Sequence, residues 1–451
     1  MKKKTKNKTN SKKTSKRVST RTTGTVKSAK LTNKFPALPD VQHPFNVYSE
    51  CEPLTEVLLH VPGRETEALH CDFVIDNDVH ASKIKHEYDA LVKLLKQQNI
   101  QVNYLTDVIA KALDELTSQE FDQFIEQYIY HSGLIDPTAF QTCFNYLRSF
   151  NSNQAVAKAL IHGVRTDDVA QASSTKFTDL RVGKPAYFVQ PLSNMIYLRE
   201  LLLTVGNGLM NFGLINTKNK LTALLFNLIA KYNPRFLKTK NFIQHAHEGC
   251  NLTGKNFLAL TNETLIIQIN EHNENYCVQE IVKNLFNEPK NTIKRAIVIF
   301  SNNAKTKNLT QCFMMIDRDK FLINKSFLET NLIYELVPTI DKTTNLVKYL
   351  THKQLKLTLS EVIELLTKKR PKFIVCGGAD ESYELKEFNT FAANVLVLSP
   401  SEVVAFDVNE KTNELLKNLN VTVHQIPATE LSKMAGGIAD MVVPIRRKKV
   451  F

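Results

Sequence analysis

Apolar and polar positions change period along this chain in a repeating order. Residues 55–61 (TEVLLHV) form an apolar run stopped by Pro62-Gly63, which predicts a strand. Ile84, Tyr88, Leu91 and Leu95 recur at helical spacing, and residues 100–105 (IQVNYL) predict the next strand. The order returns more fully downstream. Residues 257–261 and 264–269 predict two strands about a tight Asn-Glu turn, residues 278–286 a helix, and residues 295–300 a strand. Near the end, residues 394–398 and 402–407 flank Pro400, and a helix over 412–419 and a strand over 421–426 follow. Strand–strand–helix–strand is therefore a recurrent unit, and it argues for a pseudo-symmetric α/β assembly.

Two segments depart from this pattern. Residues 107–168 contain no convincing strand and predict a helical insertion, with the α/β part beginning over 41–106 and resuming over 169–451. Residues 1–34 are almost wholly Lys, Thr, Ser, Asn and Arg. They cannot bury enough apolar surface to offset the entropy of ordering, so 1–40 is expected to be a disordered tail and linker. Three prolines within 35–44 mark the linker. The tail is basic and poor in acids, as mitochondrial presequences are, but it lacks the apolar positions for an amphipathic helix.

Charge sharpens the division. The tail holds eleven Lys and two Arg with no acid, and the remaining 45 basic residues face 45 acidic ones. All the net charge of +13 is in the tail. Lys2, Lys3, Lys4, Lys6, Lys8, Lys12, Lys13, Lys16, Arg17 and Arg21 are its candidate polyanion contacts. Such a strand would hold RNA, a ribosome or DNA by counterion release, without reading sequence, since it has no aromatic residue to stack on bases. A solubilising extension is the competing explanation. No apolar run approaches a membrane span, and the seven cysteines are odd in number and lack metal-ligand spacing. The expectation is a soluble, cytoplasmic protein with each cysteine a small buried hydrophobe.

Candidate chemistry begins at the C-terminal end, GGIADMVVPIRRKKVF (436–451), where Asp440 precedes a strand predicted over 441–445. Glu200 and Asp440 could form a carboxylate pair that binds a cation, or their pocket could be filled by neighbouring side chains. His245, His247, Glu248 and Cys250 superficially suggest a metal cluster, but no metal-ligand spacing supports it and a solvated loop fits better. Arg446–Lys449 read either as a basic patch or as a frayed end. No cofactor and no metal is implied.

The order of motifs resembles the arginine deiminase family. Tyr48-Ser49-Glu50 through Val61-Pro62-Gly63-Arg64-Glu65, Gly163-Val164-Arg165, Pro191-Leu192-Ser193-Asn194 and Gly206-Asn207-Gly208 carry the resemblance. So do residues 313–321 (FMMIDRDKF), Cys376-Gly377-Gly378, residues 409–416 (NEKTNELL) and 431–444. The resemblance implies a five-bladed α/β propeller, usually dimeric or part of a larger assembly. It also implies a reaction in which a Cys thiolate attacks the guanidinium carbon of L-arginine. Carboxylates hold the guanidinium nitrogens, an acid-oriented His moves protons, and arginines hold the substrate carboxylate, giving citrulline and ammonia.

Carried over position by position, the machinery is missing. The guanidinium-binding carboxylates correspond to Glu200 and Thr253, the latter with a Lys two residues on. The His and its acid correspond to Asn308 and Thr310, and the nucleophilic Cys to Asp440. The substrate arginines correspond to Asn219, His272 and Ala435, and Cys376 stands where the family often has a non-catalytic thiol. A carboxylate is a far weaker nucleophile than a thiolate, and members of one catalytic unit do not compensate for one another. The expectation is a pseudoenzyme that serves as a binding or structural subunit. The alternative is an arginine deiminase or related hydrolase with an altered site.

Overall fold

The computed structural model describes residues 44–68, 79–172, 186–215, 219–243, 251–270, 274–301, 308–328, 331–378 and 380–448. The tail, His245, His247, Glu248, Cys250, His272 and Lys449 lie outside them. The chain is a mixed α/β fold. Strand β1 (Leu54–Leu59) leads through the helix Ala81–Gln97 to β2 (Gln101–Tyr104), which pairs with it in parallel. Ile84, Tyr88, Leu91 and Leu95 are all buried on one face of that helix, as their spacing predicts.

Four helices follow, Leu105–Asp114, Ser118–His131, Pro137–Arg148 and Asn153–His162. Their starts are written in the sequence. Thr117 and Glu120 cap one helix reciprocally, Asp136 caps another with Pro137 at its first turn, and Ser152 caps a third. Residues 164 and 165, inside the span read as helical, instead form β3 (Val164–Arg165) against β4 (Tyr187–Val189). Gly163 ends the preceding helix at φ +74°, and a Cβ there would lie 2.4 Å from the Val189 carbonyl oxygen.

The recurrent wiring then appears in the strands. An antiparallel pair is followed by a helix and a third strand parallel to the second. β5 (Leu202–Val205) and β6 (Gly208–Asn211) precede the helix Lys220–Tyr232 and a parallel bridge from Leu209 to Asn241. β7 (Phe257–Thr261), β8 (Thr264–Ile269), the helix Glu274–Asn287 and β9 (Arg295–Ser301) repeat it. β10 (Phe313–Met315) and β11 (Lys320–Ile323) repeat it again, but a long hairpin intervenes. That hairpin, β12 (Asn331–Ile340) and β13 (Val347–Leu355), joins the free edge of β9. After the helix Leu359–Thr367, β14 (Lys372–Val375) completes the β10–β11 sheet. β15 (Leu396–Ser399), β16 (Glu402–Phe406), the helix Glu410–Asn418 and β17 (Thr422–Ile426) form the next. The last strand, β18 (Val442–Arg447), returns to pair antiparallel with β1. Among the described residues each sheet is open. Strands such as β7 and β8 are buried along nearly their whole length, as their continuous apolar runs require.

One ion pair ties these units together at depth. Glu50, just before β1, accepts from Arg199 Nη2 at 2.6 Å, and the same nitrogen donates to the Phe257 carbonyl at 3.1 Å. Arg447 at the end of β18 brings its Nη2 to 4.0 Å from Glu50. All three side chains are buried. Burial alone would raise the Glu50 carboxyl, but Arg199 reverses this and holds it below the ordinary value. Its stabilisation is present above the unfolded carboxylate range and is lost as pH falls through it. Glu50→Gln is expected to cost about 3–5 kcal/mol at neutral pH, because two guanidinium groups lose their shared counter-charge. Urea unfolding should show the gap between variant and parent closing on acidification.

Candidate active site

Short turns at the near ends of β5, β7, β10 and β18 converge here. Glu200 lies on the helical turn Leu198–Leu201, directly after Arg199, so the Glu50 ion pair fixes its backbone. The turn Gly254–Asn256 packs against it so closely that a Cβ on Gly254 would lie 2.1 Å from the Arg199 carbonyl oxygen. Thr253 accepts from the Lys255 amide at 3.3 Å, and its own amide donates to Asn256 Oδ1 at 3.0 Å. Asn256 in turn donates to the Gln268 carbonyl at 3.2 Å. These bonds hold Lys255 facing inward.

Asp440 sits on the helical turn Ile438–Met441, with β18 starting at Val442. The strand predicted to begin at 441 is thus displaced by one residue, because Asp440 closes the turn by accepting from the Gly437 amide at 3.3 Å. The glycine pair serves close packing. A Cβ on Gly436 would lie 2.4 Å from the Tyr197 ring, and one on Gly437 would lie 2.6 Å from the Asn394 side chain.

At the centre stands the ammonium of Lys255. It donates to Glu200 Oε1 at 2.6 Å, lies 3.7 Å from Asp440 Oδ2, and sits 5.2 Å from the centre of the Tyr197 ring. Thr310, on the turn Leu309–Cys312, donates to Asp440 Oδ1 at 2.9 Å. Lys255 is 6% exposed, Asp440 1% and Glu200 25%. Burial opposes the ammonium, yet Glu200 and then Asp440 outweigh it and push Lys255 up to about 12. Lys255 is therefore a fixed cation and no base or nucleophile at neutral pH. Burial raises the Tyr197 phenol far up as well, helped by Glu200 and Asp440. Both Asp440 oxygens are engaged, Oδ1 by Thr310 and Oδ2 by the Gly437 amide and the Lys255 ammonium.

The family was legible in the motifs, and direct comparison decides it. The arginine deiminase family matches residues 72–447. The chain belongs to the arginine deiminase family. An arginine deiminase-like protein of Mycoplasma pneumoniae is 31% identical over 404 residues, which are 89% of this chain and 92% of that protein. The arginine deiminase of Clostridium perfringens is 27% identical over 411 residues, 89% of this chain and 98% of the enzyme. A solved amidinotransferase of the saxitoxin biosynthetic pathway from Microseira wollei is 11% identical at a TM-score of 0.47, covering 90% of this chain and 98% of that one. That likeness is too slight to bear on fold or chemistry.

Set on this arginine deiminase family scaffold, the structure gathers Glu200, Thr310 and Asp440 around Lys255, while Thr253 shapes the turn that presents it. Asn308 is half-buried at the start of the Thr310 turn and makes no cap bond. Asn219 accepts from the Thr222 amide at 3.1 Å and caps the helix Lys220–Tyr232. Ala435 is half-buried before the glycine pair. Cys376 is buried and its thiol is pushed up by burial. Arg447 is not part of a frayed end, since its guanidinium is buried and donates to the carbonyls of Glu52 and Val397 at 2.6 and 2.9 Å. Sequence reasoning registered Lys255 without giving it a role and missed Tyr197. The signal for Lys255 was a lone lysine inside a turn leading straight into the apolar strand β7.

Lys255→Met should destabilise the chain by about 3 kcal/mol at neutral pH, since two carboxylates then share a poorly solvated site. The ammonium is raised above its ordinary 10.5, so its contribution is full below that pH and fades as pH rises towards about 12. Thermal unfolding from pH 7 to 12 should show parent and variant converging at the alkaline end.

Proposed function

We propose that this member of the arginine deiminase family is catalytically inactive and acts as a binding or structural subunit. The observation that carries this reading is the Lys255 ammonium between Glu200 and Asp440. A guanidinium substrate would have to displace a covalently tethered cation from a low-dielectric site, and the thiolate and His would still be missing. A tethered cation has an effective concentration that a free ligand does not match. The purified chain should form no citrulline or ammonia from L-arginine above a no-protein control. Turnover that is lost in Asp440→Ala would sink the reading and support a hydrolase with an altered site.

The repeated wiring supports a finer reading of the architecture as a five-bladed propeller, with the β18–β1 pairing joining its last and first blades. The reading extends to the cytoplasm as its compartment. The tail, residues 1–34, is proposed as the attachment to RNA, ribosome or DNA. Thirteen cationic groups without an acid favour polyanions through counterion release. Deleting residues 1–34 should abolish salt-sensitive RNA binding in a filter assay while far-UV circular dichroism stays unchanged. RNA binding that survives the deletion would refute the attachment role.

A further inference from the structure

A cleft opens at the far ends of the strands whose near ends carry Lys255 and Asp440. β7 runs from Phe257, two residues past Lys255, to Thr261 in the cleft wall, and β18 runs from Val442, two past Asp440, to Arg447. The cleft encloses about 340 Å³, within the ordinary range for a small-molecule site. Its lining includes four cations, Arg318, Lys369, Arg447 and Lys448, against two acids, Glu52 and Glu263. Residues 35–451 hold equal numbers of basic and acidic side chains, so an excess of two positive charges here is a local feature.

The cations are not equivalent. Arg318 is held by Glu52, with Nη2 at 3.1 and 3.2 Å from the two carboxylate oxygens. Lys369 and Lys448 are exposed at the rim and have no acid partner among the described residues. Arg447 is buried, and its Nε has no hydrogen-bond partner. It shares the carboxylate of Glu50 with Arg199, and Glu52, which also acts on it, is held by Arg318, so three guanidinium groups face two carboxylates beside the cleft. A buried charge without a counter-charge is costly, and an anion in the cleft would supply one. Leu260, Met315 and Leu366 give the same space an apolar wall.

We propose that this cleft binds a small phosphate monoester. Its phosphate would lie between Lys369, Lys448 and the Arg447 end, and its organic body would lie against Leu260, Met315 and Leu366. A phosphate monoester carries close to two negative charges at neutral pH, which matches the excess. The site is independent of the Lys255 triad and of any catalytic activity.

Phosphate chemistry could come from a free metabolite or from a nucleic-acid strand, so the test separates the two. The full chain is titrated by calorimetry with inorganic phosphate, uridine monophosphate and a single-stranded RNA oligomer. Uridine monophosphate is expected to bind one to one and more tightly than inorganic phosphate. The double variant Lys369→Glu/Lys448→Glu should weaken it by about a hundredfold, roughly tenfold for each charge-assisted contact, while most RNA binding persists through the tail. Leu366→Trp, which fills the apolar wall, should give the same loss if the charge variant folds poorly. The proposal is overturned if uridine monophosphate does not bind, if it binds equally to both variants, or if the double variant loses only RNA.

Discussion

The buried carboxylate of Glu50 is the constraint on which the rest of the molecule depends. It neutralises Arg199 at 2.6 Å and approaches Arg447 at 4.0 Å, so segments preceding β1 and β5 and the end of β18 share one charge. Through the Phe257 carbonyl, β7 joins the same network. Such a cluster is tolerable in a low dielectric only when donors and acceptors are held in place, so it enforces the alignment of the strand ends around it. Glu200 inherits a fixed backbone from its neighbour Arg199, and Arg447 lines the cleft at the opposite strand ends.

At the near end, two carboxylates and an aromatic face surround a positive charge, and that charge belongs to Lys255. Thr310 and the Gly437 amide each donate to one oxygen of Asp440. These side chains are mutually consistent: Thr253 caps the turn that aims the lysine, the lysine pairs with Glu200 and lies near Asp440, and Thr310 donates to Asp440. The cluster is held by charge-assisted hydrogen bonds and ion pairing, the same kind of forces that hold a charged ligand.

Much of this was legible in the chain. Strands 257–261 and 264–269 are bounded by a turn and uninterrupted in apolar character, and the structure reproduces them without adjustment. The helix Ala81–Gln97 follows from a 3.6-residue period with no competing pattern. The β12–β13 hairpin was not foreseen, because its second strand is largely exposed and polar and leaves little periodic trace. β3 was overlooked for a different reason: two residues cannot show a period, and their pairing depends on Tyr187–Val189, over twenty residues away. In the site, Thr253, Asn308, Thr310 and Asp440 could be placed one by one from the motifs around them. The role of Lys255 could not, since a lysine's default is solvent and only the packing of Gly254 on the Arg199 backbone turns it inward.

By itself, then, the sequence determined the periodic elements, the family and the concentration of charge in the first 34 residues. Those are properties of composition, spacing and residue type, and they need no knowledge of distant contacts. The tertiary structure alone decided that Glu200 and Asp440 meet over one tethered ammonium. It likewise decided that Arg447, which looked like part of a basic terminus, is buried beside Glu50. Ion pairing at depth depends on which charges are brought within a few ångströms and cut off from water, and that is a property of the folded chain.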